Sequence, residues 1–231
     1  MLFTAVATMQ KLIPMLLKEL AAHTTTIDEE YHLTEEEQAA LAFDFRLFKR
    51  LDRKEKMKYA MEKLAKVGAG SSRVVFVVSP TTVLKIAKDQ KGIAQNATER
   101  DVSSYGYSCV AQVFDYDTTD YTWIEAERAT RMKTADFKAT TGVPFKVLSD
   151  VLYAKHQQRY GKEVYLDPEQ KKFMDSPFFS CLETILNDYD MPIGDIRRPS
   201  SWGVVNRNGA KVAVLIDYGL TGETFDKFYR K

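Results

Sequence analysis

The stretch Val74-Val75-Phe76-Val77-Val78-Ser79-Pro80-Thr81-Thr82-Val83-Leu84-Lys85-Ile86-Ala87 decides the kind of fold this chain adopts. Val74 to Val78 is an unbroken run of β-branched and aromatic side chains, too short for a helix, and it reads as a buried strand. Ser79-Pro80-Thr81-Thr82 brings turn chemistry, with proline at the second turn position, and Val83 to Ala87 returns as the next strand. The stretch is therefore a hairpin. Alternation along its second strand puts Lys85 on the face opposite Leu84 and Ile86, where a lysine is either solvated or needs an anion.

Toward the N-terminus, Gly68 to Ser72 is a small-residue turn, and before it Leu33 to Lys66 reads as helical. Thr34 with Glu37 makes a capping box, Leu41, Phe45 and Phe48 recur at one-face spacing, and Met57, Met61 and Leu64 do so again. Residues 1 to 32 read as a short helix broken near Pro14, then a loop around His23 to Asp28. Toward the C-terminus, a helix over Ile93 to Tyr105 precedes strand candidates Val110 to Tyr116 and Tyr121 to Ala126, giving the order β, β, β, α, β, β. Lys133 to Asp190 turns helical, with one helix over Leu148 to Tyr160 closed by Gly161 and another opened by Ser176-Pro177. Trp202 to Val205 and Val212 to Ile216 then flank Asn206-Arg207-Asn208-Gly209, whose Asn-Gly step is a strong hairpin signal.

The chain's 231 residues, 45% of them hydrophobic, suffice for one sizeable domain or two small lobes around a cleft. With 33 basic and 32 acidic side chains the net charge is +1, which argues against a nucleic-acid partner or an anionic membrane; Arg197-Arg198 is the one local basic pair of note. Two cysteines, Cys109 and Cys181, cannot make a disulfide framework, and with three scattered histidines they offer no zinc-ligand spacing. A cytoplasmic setting is expected. The apolar start Met1 to Ala7 follows no basic segment and is interrupted by Gln10, Lys11 and Pro14, so neither a signal peptide nor a transmembrane helix is expected.

Several residues have the chemistry of a site, each with a plain alternative. Gly68, Gly70, Ser71 and Ser72 lie between strand-like runs, so the segment is neither a P-loop nor a dinucleotide fingerprint; it is a lid over phosphates or an ordinary turn. Glu99, on the helix after Lys85, is that lysine's available counter-charge or an exposed helix acid. Asp217-Tyr218-Gly219 ends an apolar strand, where a carboxylate holds a divalent cation or caps the strand with an Asx turn. Asp195 and Arg197, in the segment before Trp202, suit a proton acceptor and a phosphate-charge neutraliser, or a charged loop.

In their order these pieces resemble the protein-kinase signature set: a Gly-rich hairpin, a lysine on the third strand, a glutamate on the next helix, a catalytic-loop aspartate and an Asp-aromatic-Gly motif. The resemblance runs over roughly Ala65 to Leu220. Within that superfamily the chain is similar to short kinase-like proteins of bacteriophages, through Ser71-Ser72-Arg73-Val74, Gly92-Ile93-Ala94-Gln95-Asn96 and Trp202-Gly203. It implies an α+β, two-lobed kinase-like fold: N-terminal helices over 1–66, a five-stranded antiparallel lobe with one helix over 67–129, and a reduced, mainly helical lobe over 130–231. It also implies ATP and magnesium as cofactors. Lys85 would hold phosphates with Glu99 as its partner, Asp217 would bind magnesium, and Asp195 would orient or deprotonate an acceptor hydroxyl. Arg197 would stand in for the catalytic-loop lysine, and Glu127 to Ala129 would be the hinge that meets adenine.

Departures from the pattern qualify what it implies. Arg73 replaces the loop's third glycine, Ile193-Gly194-Asp195 replaces His-Arg-Asp, and the asparagine metal ligand falls near Ser200 or Ser201. Only twelve residues follow Gly219, too few for an activation segment and a peptide-docking platform. The expectation is an ATP-dependent phosphotransferase acting on a protein or small hydroxyl compound. The alternatives are a non-catalytic kinase-like interaction module or virus-associated structural protein, in host cytoplasm if viral, and nucleotidyl transfer on the same fold.

Overall fold

The computed structural model describes residues 43–230. The expectations on residues 1–32, the Thr34–Glu37 capping box and Leu41 lie outside that range.

Of the stretch Leu33 to Lys66 that reads as helical, the described residues form two helices, α1 (Phe45–Arg50) and α2 (Arg53–Lys63). The break has a local cause. Leu51 is extended, and Asp52 opens a new helix through a capping box: its carboxylate accepts the Glu55 N–H at 2.8 Å while Glu55 accepts the Asp52 N–H at 3.0 Å. The chain leaves the helix at Leu64 and begins β1 (Lys66–Ala69) at Lys66.

Strands β1, β2 (Arg73–Val77), β3 (Thr82–Ala87), β4 (Val113–Tyr116) and β5 (Trp123–Glu127) form one antiparallel sheet in the order β1-β2-β3-β5-β4. Helix α3 (Gln90–Ser104) crosses between β3 and β4. Val75 pairs with Lys85 and Phe76 with Leu84, so the two faces of the hairpin differ. On one face Val74, Phe76, Leu84, Ile86 and Trp123 share a core with Phe43, Phe48, Ala60 and Leu64 of the preceding helical segment. The other carries Arg73, Val75 and Lys85, and each of these lines a cleft. Cover on both faces explains why Val74 to Val78 shows no polar alternation.

The rest is mainly helical. Helices α4 (Thr134–Thr141), α5 (Phe145–Arg159), α6 (Pro168–Met174) and α7 (Pro177–Asp188) enclose a core around Leu148, Leu152, Phe179, Leu182 and Trp202. A short helix, α8 (Ile193–Ile196), precedes β7 (Trp202–Arg207) and β8 (Ala210–Leu215), which form a three-stranded sheet with the earlier strand β6 (Thr130–Arg131). The β7–β8 turn places both Asn208 (φ 53°) and Gly209 (φ 80°) in the left-handed region, the signature of a type I′ hairpin and the conformation an Asn-Gly pair adopts at least cost. The last element, α9 (Gly222–Phe228), packs back against α3.

Backbone pairing joins the sheet's side of the molecule to the helical part. Leu215 N–H donates to the Cys109 carbonyl at 2.8 Å and Ala111 N–H donates to the Leu215 carbonyl at 3.0 Å, so the segment after α3 pairs with the end of β8. Beside it, Cys109 and Cys181 of α7 form a disulfide, where the sequence suggested only that two cysteines cannot build a framework. Among the described residues no helix is long and apolar enough to cross a membrane.

Candidate functional site

A cleft of about 610 Å³ opens between the five-stranded sheet and the helical part. Its back wall is a charge cluster. Lys85 Nζ donates to Glu99 Oε2 at 2.6 Å and to the Ile216 carbonyl at 2.8 Å, so β3 is tied both to α3 and to the residue before Asp217. Glu99 is fully buried, and the Lys85 side chain is 8% exposed. Burial, helped by the neighbouring Arg73 charge, pushes the Lys85 ammonium below the usual lysine value despite the pull of Glu99.

Arg73 completes the cluster. Its Nη1 lies 2.8 Å from Glu99 Oε1 and its Nη2 donates to Asp217 Oδ1 at 2.6 Å. Burial opposes its charge, but Glu99 and Asp217 together hold the guanidinium above its ordinary value. Two buried cations thus face one buried carboxylate and one that is 65% exposed at the cleft. The formal charges cancel.

Tyr218 anchors the motif that carries Asp217. Its ring is buried in the helical core and its hydroxyl donates to the Ala111 carbonyl, while Gly219 lies so close to α3 that a Cβ there would sit 2.5 Å from the Gln95 carbonyl oxygen. Only glycine permits that approach. The Gly-rich turn is held down from the same side: Ser72 Oγ donates to Gln95 Oε1, and Lys88 Nζ donates to the Gly70 carbonyl at 2.6 Å.

The remaining candidates divide. Gly70, Ser71, Ser72, Glu127, Ala129, Asp195, Ser201 and Asp217 all line the cleft; Gly68 and Arg197 do not. Arg197 instead faces α5, where its Nε donates to Ser149 Oγ at 3.1 Å and its guanidinium lies over the Tyr153 ring. Its neighbour Arg198 does reach the cleft, 3.2 Å from Asp195 Oδ1. Ser201 is buried and its hydroxyl donates to the Asp195 carbonyl at 2.7 Å, which fixes the turn carrying Asp195. The Glu127 carboxylate is occupied by Arg207 of β7, so the link between the two parts is braced by an ion pair.

Magnesium needs several oxygen ligands. Here one oxygen of Asp217 is taken by Arg73 and the Ser201 hydroxyl by a backbone carbonyl, and among the described residues no group of three or more His, Cys, Asp or Glu side chains is placed to hold a metal. The side chains by themselves therefore build no magnesium site, the ion's remaining ligands in a nucleotide cleft being phosphate oxygens and water.

Sequence reasoning gave Arg73 no role in the site, taking it as a departure from a glycine pattern and as part of the Ser71-Ser72-Arg73-Val74 resemblance. The signal was nevertheless present: a hairpin centred on Pro80 sets Val75 opposite Lys85, and alternation then puts Arg73 on the lysine's face. Phe225 and Tyr229, which also line the cleft from the C-terminal end, had no such signal.

No known family profile matches the sequence, and no curated protein does. Among solved structures, the GDP and kanamycin complex of APH(2")-IIIa is 13% identical, with a TM-score of 0.35 over 68% of this chain and 66% of that one. The streptomycin–ATP–APH(2")-IIa ternary complex is 11% identical, with a TM-score of 0.32 over 74% and 71%. SAICAR synthase from Saccharomyces cerevisiae complexed with SAICAR is 8% identical, at 0.34 over 67% and 72%.

Proposed function

We propose that this chain is a kinase-like nucleotide-binding protein whose cleft supports phosphoryl transfer from ATP to a hydroxyl acceptor. The observation that carries this reading is the buried Lys85–Glu99 pair, bonded at once to α3 and to the backbone before Asp217 at the rear of a ligand-sized cleft. A lysine kept in a low-dielectric wall with a single buried counter-ion is poised for phosphate oxygens, and the glycine-bearing turn above it brings backbone N–H groups. Glu127, Arg128 and Ala129 line the same cleft, and in this reading their backbone meets the base. Asp195, half exposed on the cleft wall, orients the acceptor hydroxyl and receives its proton as the acceptor oxygen bonds to the γ-phosphorus; the bond to the bridging oxygen breaks and ADP leaves.

A second reading, a nucleotide-binding module without transfer, is favoured by the ion pairs that hold Asp195 and Asp217. Incubation with γ-labelled and α-labelled ATP separates the cases. Label transferred only from the γ position, and lost in Asp195→Ala while ATP binding persists, supports the enzyme; transfer from the α position indicates nucleotidyl chemistry; binding without either supports the module. The acceptor is a protein or small hydroxyl compound, and the phage-like setting and the division at 66 and 129 belong to the same proposal.

A further inference from the structure

In a kinase-like site, lysine, glutamate and the motif aspartate sum to one negative charge, and a divalent cation is drawn to it. Here Arg73 is added to the same cluster, and the sum of Arg73, Lys85, Glu99 and Asp217 is zero before any ion arrives. The guanidinium is itself the cation beside Asp217: it is 2.6 Å from Oδ1, lies on the cleft wall, and is held from behind by Glu99 and by Asn96 Oδ1 at 3.4 Å. Guanidinium stays charged under all ordinary conditions and its planar donors match phosphate oxygens in pairs.

We infer that Arg73 takes the place of a divalent cation in this cleft, so that a nucleoside triphosphate binds through Arg73 and Lys85 without a metal ion. This rests on the nucleotide reading above and goes beyond it. Incoming phosphates compete with Asp217 for the cleft-facing edge of the guanidinium, while Glu99 keeps Arg73 and Lys85 on the wall. The Asp217 carboxylate is then a rival of the nucleotide rather than its metal bridge.

The test is ATP titration by calorimetry of the full chain in EDTA and in excess magnesium. Wild type is expected to bind with affinities within about threefold of each other, because 1.4 kcal/mol is a tenfold change and a required ion exceeds it. Arg73→Met is expected to lose at least tenfold in EDTA and to recover part of that loss with magnesium. Should that variant fold poorly, Asp217→Asn decides the matter: freeing Arg73 tightens metal-free ATP binding severalfold, whereas a magnesium ligand would lose affinity on the same change. Wild-type binding that needs magnesium, or weakening in Asp217→Asn, overturns the inference and leaves the nucleotide reading standing. No ATP binding in either buffer overturns both.

Discussion

Replacing Glu99 by glutamine removes the one buried carboxylate that two buried cations share, and its size barely changes. Lys85 Nζ at 2.6 Å and Arg73 Nη1 at 2.8 Å both lose their closest anion, with side chains only 8% exposed to draw on water instead. Removing one member of a buried pair costs about 3–5 kcal/mol because a charge is left behind. Two effects moderate the loss: Arg73 keeps Asp217, and Lys85 keeps the Ile216 carbonyl and sheds its proton more readily than an ordinary lysine. The estimate of about 3–5 kcal/mol is therefore kept for the cluster, without doubling for two cations. For a domain of this size it corresponds to a fall in Tm of roughly 6–20 °C. Urea titration with an unchanged slope would report it as a lower midpoint. Adding Lys85→Met to Glu99→Gln should recover part of the loss, since one orphaned charge goes with it, and the cycle isolates the coupling. A single-variant loss below about 1 kcal/mol, the range of an exposed ion pair, would refute the picture of a buried cluster.

Gly219→Ala should destabilise by about 1–3 kcal/mol, because its Cβ would lie 2.5 Å from the Gln95 carbonyl oxygen and 2.8 Å from Gln95 Cβ, whereas Gly194→Ala meets nothing within 4 Å and should be near neutral in the same melt. Lys85 should react with an amine-directed reagent at lower pH than surface lysines, with a midpoint below 10.5. Since its folded value is depressed, the unfolded chain holds more protons at this site between that value and 10.5, so wild type should gain stability over Lys85→Met as pH rises through that window; a decline would contradict it. Tyr218→Phe should cost about 1–2 kcal/mol by leaving the buried Ala111 carbonyl without its donor, and equal melting of the two proteins would sink that assignment. Alkylation without reductant should leave Cys109 and Cys181 unmodified, with both labelled after reduction.

Ser201 and Arg197 show how far a motif can be carried by spacing alone. Both sit within a few residues of Asp195, yet one turns inward to hold that residue's own carbonyl and the other turns away to α5. Side-chain direction on a four-residue helix and the turn after it depends on packing against α5 and Trp202, which no local pattern encodes.

What the sequence by itself determined is the set of elements whose signals are local. The hairpin about Pro80, the Asn208-Gly209 turn, the Ser176 cap with proline at the first helical position and the glycine after α5 follow from backbone sterics and short-range hydrogen bonds. The order of Lys85, Glu99, Asp195 and Asp217 was equally legible, because strand and helix periods place each residue before any tertiary contact forms. Only the tertiary structure decided what those residues do to one another. Arg73 and Asp217 are 144 residues apart in the chain, and their 2.6 Å contact exists because the fold brings the first residue of β2 and the segment after β8 to the same cleft wall. Whether a lone arginine at the head of an apolar strand is solvated or is the keystone of a buried cluster depends on which carboxylates the fold brings to it, since a charge is tolerated away from water only beside its opposite.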